Sequence, residues 1–198
     1  MFTGIIEQKG QVKKIVKKGG IIDLTVSPKK KMPPLKKGGS IAIDGICLTV
    51  VKKGRKTFSV QASKETCLRS TLGEYQVGTQ VNLETPLLPT EPIGGHFVSG
   101  HVDGVGEIVK KQAENGTVSL HIRVPSSLRR YLAVKGSIAI DGVSLTLASS
   151  YPDGFGTVII PHTLKETTLG QKEKGSRVNL EVDLLAKYLE QLGVAYGV

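Results

Sequence analysis

A segment rich in histidine and glycine is the first place in this sequence where chemistry is expected. Residues 94–104 contain His96, His101, Asp103 and four glycines. Histidine normally titrates near neutral pH, so it serves acid–base catalysis and ligand binding. A structural role is the alternative, but the glycines indicate close approach of the backbone to another group. His96 and His101 would lie on opposite faces of a strand. The segment therefore predicts a small-molecule site and no metal site.

Two strand-like segments carry a second pattern of polar residues. Cys47 and Thr49 alternate with aliphatic residues after a turn, and Ser144 and Thr146 do the same in the second half of the chain. Successive side chains of a strand point to opposite faces, so an aliphatic face that fills a barrel leaves these four outside. Threonine is common on the solvent face of any strand. A Cys or Ser beside it in both halves favours a ligand-binding surface.

The chain is an internal repeat. Eight of the eleven residues in 40–50 are identical to those in 137–147, and the other three pairs are Ile/Val, Cys/Ser and Val/Leu. The offset of 97 residues continues beyond this segment without a gap. We therefore predict a duplicated domain, with copies at 1–96 and 97–185 and a connector rich in proline and glycine at 88–95.

Short β-like segments separated by glycine-rich turns recur in each copy, which is typical of a barrel or sandwich. The six strands predicted in the first copy are at 10–12, 21–26, 40–43, 47–51, 57–61 and 80–84. Residues 183–192 instead place five apolar side chains along one helical stripe, with Asp183 as N-cap and Gly193 as the end. We predict an all-β protein of two tandem six-stranded antiparallel barrels with a C-terminal α-helix. This helix, at 186–198 and starting near 183, has no counterpart in the first copy and is typical of a subunit contact.

Composition and charge bear on several other classes of protein. The net charge of +10 would suit nucleic acid, but the lysines occur in short groups beside Gly or Pro, and Trp is absent. Solvated turns are the favoured interpretation. The apolar runs are far too short for a membrane span, and no secretory leader is visible, so a cytoplasmic location is expected. Cys47 and Cys67 form neither a disulfide framework nor a zinc motif, and Cys67 is interpreted as a small buried hydrophobe.

These segments resemble the riboflavin synthase family over essentially the whole chain. The resemblance rests on residues 1–7, 45–50, 94–104, 141–146 and 160–163. It implies a Greek-key barrel in each half and a homotrimer held largely by the C-terminal helices. It also implies a transferase that needs no metal or organic cofactor. Two molecules of 6,7-dimethyl-8-ribityllumazine would give riboflavin and 5-amino-6-ribitylamino-uracil by transfer of a four-carbon unit. Lumazine synthase is a candidate partner, whereas nucleic acid and membrane are not expected.

The resemblance also implies roles for individual residues. The implied catalytic residues are Cys47, His101, Ser144, Thr146 and Asp183. The implied substrate-binding residues are Gly4, Ile5, Ile6, Cys47, Leu48, Thr49, Gln61, Ala62, Ser63, Thr66, Gly100, His101, Val102, Lys135, Ser144, Leu145, Thr146, Ile159, Ile160, His162 and Thr163. Gly4 would join Cys47 in an N-terminal half-site, and Gly100 would join Ser144 in a C-terminal half-site. The two half-sites that meet would belong to neighbouring subunits.

The implied chemistry leaves several assignments open. His101 would move protons with Ser144 and Thr146, and Cys47 would add to the acceptor or steer a nucleophile toward it. Asp183 is a further candidate, although helix capping alone explains it. The group that removes the first proton from the C7 methyl group is left open.

One departure and two rival functions accompany the resemblance. An arginine is expected before Gly94, where the chain has Pro92 and Ile93. One rival is a non-catalytic lumazine- or flavin-binding optical protein on the same fold, which would be expected to lose the histidine-rich loop and the cysteine. The other is a basic barrel that binds nucleic acid, which explains the charge but not the Cys47/Ser144 pair. The retained histidines and cysteine favour the enzyme.

Overall fold

The computed structural model describes residues 1–33 and 35–196, which are mostly β-structure. Two curled antiparallel sheets, one for each half of the chain, enclose separate apolar cores. No helix in these ranges is both long and apolar enough to cross a bilayer. The predicted fold class, all-β with a C-terminal helix, is confirmed.

The first half forms a closed barrel of six strands. They are β1 (Gln8–Lys18), β2 (Ile21–Pro28), β3 (Ser40–Ile43), β4 (Ile46–Lys53), β5 (Phe58–Ser63) and β6 (Gln80–Glu84). The hydrogen-bonded order is β1-β2-β5-β4-β3-β6, and β6 pairs with β1 to close the barrel. All six strands predicted in this copy are present, and the order is that of a Greek key.

The second half repeats this order with one strand divided. Its strands are β7 (Gly104–Glu114), β8 (Thr117–Arg123), β9 (Ser137–Ile140), β10 (Val143–Thr146), β11 (Ser149–Tyr151), β12 (Gly154–Ile159) and β13 (Arg177–Val182). Together β10 and β11 occupy the place of β4. The interruption falls where β4 has a bulge between Val50 and Lys52. There Thr157 Oγ1 donates a hydrogen bond to the carbonyl oxygen of Thr146 at 2.9 Å. The second sheet therefore has seven strands rather than the six predicted. Because β10 and β11 are its two edges, it curls into an open second barrel, unlike the closed first one.

Most apolar residues of the strands point into the barrels, as the alternation predicts, whereas Val16, Ile21 and Val158 are exposed on the outside. In β4, Ile46, Leu48 and Val50 are buried, whereas Cys47 is half-buried and Thr49 is exposed. The same alternation in β10 leaves its serine half-buried and its last threonine exposed. Burying the aliphatic face removes apolar surface from water, which stabilises each barrel and fixes which face remains for ligands.

A short helix follows the fifth strand of each copy. These helices are α1 (Lys64–Arg69) and α2 (Pro161–Glu166). The hydroxyl of Ser63 caps α1 by accepting a hydrogen bond from the Thr66 amide at 3.1 Å. Pro161 begins α2, where its fixed backbone angle suits the first turn. Cys67 in α1 is half-buried against the first core, and this burial raises the pKa of its thiol.

The C-terminal helix α3 (Leu184–Tyr196) begins as predicted, and residues 197 and 198 of the predicted helix lie outside the described range. Asp183 Oδ1 accepts a hydrogen bond from the Leu185 amide at 2.9 Å, so the predicted N-cap is confirmed. Gly193 does not end the helix, because the chain stays helical to Tyr196. The predicted apolar stripe faces solvent in the single chain. Its most exposed side chains are Leu185, Tyr188, Leu189 and Leu192.

Candidate active site

The two barrels meet through a pair of identical turns that precede β4 and β10. A Cβ on Gly45 would lie 2.7 Å from the Gly142 amide nitrogen, and a Cβ on Gly142 would lie equally close to that of Gly45. Both glycines have positive φ, 75° and 78°, which a side chain would also disfavour. The turns therefore pack backbone to backbone and place the starts of β4 and β10 next to each other.

Two asparagines tie these turns across the interface. Asn82 Nδ2 donates to the carbonyl oxygen of Asp141, and Asn179 Nδ2 donates to that of Asp44, both at 2.9 Å. Each Asn Oδ1 also accepts an amide hydrogen bond from the other half of the chain. Because both asparagines are almost fully buried, these bonds form away from water and fix the register between the barrels.

A buried carboxylate lies under each turn. Tyr75 donates to Asp44 Oδ2 at 2.6 Å, whereas Lys172 Nζ lies 3.1 Å from Asp141 Oδ2. Burial, with the nearby Asp141 charge as a second cause, raises the pKa of Asp44 to about 7. Burial also raises the pKa of Asp141, against the lowering effect of Lys172. The interface therefore accommodates one ionised carboxylate with its lysine more readily than two.

The first candidate face lies on the outside of β4. The Cys47 amide donates to the Gly100 carbonyl oxygen at 2.8 Å. A Cβ on Gly100 would lie 2.5 Å from Cys47 Cβ, so only glycine allows this approach. The buried carboxylate of Glu181 holds the segment by accepting from the amides of Ser99 and Gly100. His101, the next residue, is exposed beside this face.

The second candidate face repeats the arrangement on β10. The Ser144 amide donates to the Gly4 carbonyl oxygen at 2.8 Å, and a Cβ on Gly4 would lie 2.6 Å from Ser144 Cβ. Glu84 accepts from the amides of Thr3 and Gly4, as Glu181 does for the first face. Burial raises the pKa of both glutamates, and these hydrogen bonds lower it in part.

The glycine segments are exchanged relative to the predicted half-sites. Gly4 lies against Ser144 of the second barrel and not with Cys47, while Gly100 lies against Cys47 and not with Ser144. The neighbouring side chains follow, since Ile6 packs on the second core and Val102 on the first. The predicted grouping is therefore wrong. The reason lies in the tertiary structure. The segment before each barrel crosses to the other barrel, and the two segments are joined by a β-bridge between Phe2 and Val98.

His96 gives the second face a proton acceptor. Its Nδ1 lies 2.7 Å from Ser144 Oγ. The close approach depends on Gly95, where a Cβ would lie 2.8 Å from Ser144 Cβ. Burial lowers the pKa of His96, and the nearby Asp183 charge opposes this only in part. The lowered pKa favours the neutral ring, which can take a proton from the serine hydroxyl.

Within one chain, the histidine on Ser144 is His96 and not His101, with which Ser144 was predicted to act. The sequence drew attention to both histidines, but only His101 was assigned a role. The glycine pair before His96 was the available signal, because it permits the contact. The paired Val-Asn-Leu-Glu segments likewise carried Asn82, Glu84, Asn179 and Glu181, to which no role was assigned.

The remaining predicted site residues fall into two groups. The side chains of Leu48, Ala62 and Ile159 are buried inside the barrels, so only their backbone atoms can contact a ligand. The other group has side chains at least partly open to solvent: Ile5, Thr49, Gln61, Ser63, Thr66, Lys135, Leu145, Thr146, Ile160, His162 and Thr163. Lys135 has a positive φ of 69°, which is unusual for a residue with a side chain.

Each half thus carries a polar, glycine-lined face on a small barrel, which is the arrangement of a duplicated small-molecule-binding domain. The lumazine binding domain family matches residues 3–86 and again residues 99–183. Riboflavin synthase of Photobacterium phosphoreum is 44% identical over 193 residues, covering 97% of this chain and 88% of that relative. Riboflavin synthase of Bacillus subtilis (strain 168) is 40% identical over 189 residues, covering 96% and 88%. The chain belongs to the riboflavin synthase family.

Solved structures agree with this fold. LumP complexed with 6,7-dimethyl-8-(1'-D-ribityl) lumazine has a TM-score of 0.81 at 26% identity, covering 92% of this chain and 99% of that chain. LumP complexed with riboflavin has a TM-score of 0.82 at 27% identity, with the same coverage.

Proposed function

We propose that this chain is a transferase that converts two molecules of 6,7-dimethyl-8-ribityllumazine into riboflavin and 5-amino-6-ribitylamino-uracil. One molecule gives a four-carbon unit to the other. The two products together contain the same atoms as two substrate molecules, so the overall reaction needs no oxidant or reductant. The observation that carries the proposal is the Ser144–His96 contact of 2.7 Å on one of two related lumazine binding domains.

The duplication suits a reaction between two copies of one substrate. Each barrel offers one face, and holding two flat rings together replaces a random encounter by a fixed geometry. The first face comprises Cys47, Thr49, Gln61, Ser63, Thr66, Gly100, His101 and Val102, with the backbone of Leu48 and Ala62. The second face comprises Gly4, Ile5, Ile6, His96, Lys135, Ser144, Leu145, Thr146, Ile160, His162 and Thr163, with the backbone of Ile159.

The second face is the proposed site of proton removal. Ser144 Oγ accepts a proton from the C7 methyl group of the bound ring as its own proton passes to His96 Nδ1. The methyl C–H bond breaks, and its electron pair enters the conjugated ring. Asp183 lies near enough to His96 to favour its charged form, so it stabilises the imidazolium that results. Thr146 follows Ser144 on the same exposed face.

The first face is the proposed site of the acceptor ring. Cys47 Sγ is half-buried there, beside the fixed backbone of Gly100. Its role is to add to the acceptor ring or to position the nucleophile that does. The difference between Cys47 and Ser144, at equivalent places, makes the two faces chemically unequal. That inequality suits one donor and one acceptor.

A homotrimer would bring the two faces together. Leu189 is 70% exposed in the single chain and Leu185 is 58% exposed, on the stripe of α3 that would pack between subunits. The first face of one subunit then meets the second face of its neighbour, which puts His101 opposite Ser144. The same proposal includes three further points. The domains divide at 1–96, 97–185 and 186–198, the protein is cytoplasmic, and lumazine synthase is a partner.

The deciding experiment follows absorbance while the pure protein is incubated with 6,7-dimethyl-8-ribityllumazine alone. We expect riboflavin to appear at half the rate of substrate loss, and Ser144→Ala to slow it strongly. Ser150→Ala changes an exposed serine on β11, the next strand along the chain, and is the matched control that should leave the rate unchanged. Substrate that binds but is not consumed would favour a non-catalytic lumazine-binding protein, which is the second candidate because of the likeness to LumP. Absence of binding would refute both.

A further inference from the structure

Almost all of the net positive charge lies in the first half of the chain, and the proposed reaction does not use it. Residues 1–96 contain 16 Lys and Arg against 7 Asp and Glu, a net charge of +9. Residues 97–198 contain 11 against 10, a net charge of +1. In the folded chain, six of the cations of the first half surround one cavity.

This cavity has a volume of about 640 Å³ and lies at one end of the first barrel, between residues 27–33 with Leu35 on one side and the turn from β4 to β5 on the other. The cations that line it are Lys29, Lys30, Lys31, Lys53, Arg55 and Lys56. None of the six forms an ion pair within the described parts of the chain. Like charges held close together repel one another, so an anion bound among them would be stabilised.

The floor of the cavity is apolar. Phe58 is buried there, and Met32 and Leu35 pack against the first core. The volume lies within the range of about 300 to 1,000 Å³ that is usual for small-molecule sites. A ligand that fits would place a flat apolar group on this floor and negative charge toward the rim.

The second barrel serves as an internal comparison, because it fills the same end. Between β8 and β9, residues Ser126–Tyr131 form a 3₁₀-helix that buries Leu128 in the second core. Arg130 of that helix forms an ion pair with Glu190 of α3 at 2.5 Å.

The turns from the fourth to the fifth strand also differ between the two barrels, because the cation of the first is replaced by a paired carboxylate in the second. Lys56 of the first barrel corresponds to Asp153 of the second, which bonds to His121 at 2.9 Å. The unpaired cations and the apolar floor are therefore features of one copy and not of the barrel in general.

We propose that this cavity binds a small organic phosphate whose other part is a flat aromatic ring, which is the chemistry of a nucleotide. Arg55 binds phosphate oxygens through two parallel N–H donors, and the lysines bind them as point charges. The ring lies on Met32 and Leu35. A nucleic-acid strand suits the cavity less well, because its one aromatic lining residue, Phe58, is buried and offers no face for stacking.

The test is isothermal titration calorimetry of the full chain with ADP as the probe. We expect one saturable site per chain, weaker binding of adenosine than of ADP, and competition by inorganic pyrophosphate. The triple variant Lys30→Gln, Arg55→Gln, Lys56→Gln should raise the dissociation constant of ADP at least about tenfold. All three side chains are exposed, so these changes should not disturb the fold.

The control variant is Lys14→Gln, Lys17→Gln, Lys18→Gln. It removes the same charge from exposed positions of the same barrel that do not line this cavity. Its dissociation constant should change by less than about threefold. Equal weakening in both variants would overturn the proposal, because it would reflect net charge alone. Absence of ADP binding by the unmodified chain would also overturn it, including when an RNA oligonucleotide binds. Riboflavin formation, measured on the same samples, tests the proposed reaction separately and should be unchanged in both variants.

Discussion

Replacing His96 by asparagine should separate the chemistry of the second face from its structure. Asparagine can keep a hydrogen bond to Ser144 Oγ, but it cannot take up a proton. General-base catalysis contributes about 10²- to 10⁴-fold, so the rate of riboflavin formation should fall by this factor, which corresponds to about 3 to 5 kcal/mol in the barrier. The free energy of unfolding should change by no more than about 1 kcal/mol, the worth of one hydrogen bond. His96 Nε2 is buried with no partner among the described residues, so its loss removes no further bond.

The pH dependence of kcat/KM distinguishes proton transfer by His96 from a purely structural role, which would leave the pH profile unchanged. Burial lowers the pKa of His96, so its protonation should reduce the rate only at pH values below the ordinary titration range of histidine. In His96→Asn this decrease of kcat/KM at low pH, the acidic limb of the profile, should disappear. His121→Asn is the matched control, because His121 is also half-buried and hydrogen-bonded, to Asp153, and should keep both rate and limb. A His96→Asn variant that keeps most of its activity and the acidic limb would refute the assignment.

Three further outcomes are expected. Gly100→Ala should lower the melting temperature more than Gly38→Ala. Both glycines have positive φ, but only at Gly100 would an added Cβ lie 2.5 Å from Cys47 Cβ. Equal losses in melting temperature would contradict the tight contact. Asp44→Asn should flatten the dependence of stability on pH. The pKa of Asp44 is raised to about 7, so its contribution to stability is complete below about pH 4 and is lost as the pH rises through 7, by up to about 4 kcal/mol. Urea unfolding at pH 5 and pH 8 measures this, and an unchanged difference in Asp44→Asn would refute it. Leu189→Asp should give a folded monomer in sedimentation velocity if α3 holds the trimer, whereas an unchanged sedimentation coefficient would exclude that role.

Several features of the fold could be predicted because they depend on neighbours in sequence. The alternation around Cys47 and Ser144 assigns inner and outer faces of a strand without any tertiary information. The repeat transfers the strand order of one copy to the other. Asp183 is a capping residue at the start of an apolar stripe, and the helix begins there. The prediction that Gly193 ends the helix was wrong. Glycine lowers the helix propensity and is common just after a helix end, but neither effect requires a helix to stop there.

Many of the site residues could be predicted from the sequence, but the residues that each of them contacts in the other copy could not. Local pattern assigns Gly4 and Gly100 to tight approaches, yet each glycine approaches the barrel of the other copy. The His96–Ser144 contact likewise joins residues 48 positions apart. Periodicity carries no information about such pairs, because it describes which face a residue is on and not which face it meets.

The sequence by itself determined two β-barrels, their polar outer faces and the capped C-terminal helix. Tertiary structure alone decided that the leading segment of each copy crosses to the other, that His96 and not His101 reaches Ser144, and that β10 and β11 divide one strand. It also decided that Asp44 and Asp141 share one buried interface. The physical reason is that local patterns arise from backbone geometry and side-chain burial, which neighbouring residues set. Contacts between the two copies depend instead on close packing of surfaces that exist only after both barrels have formed.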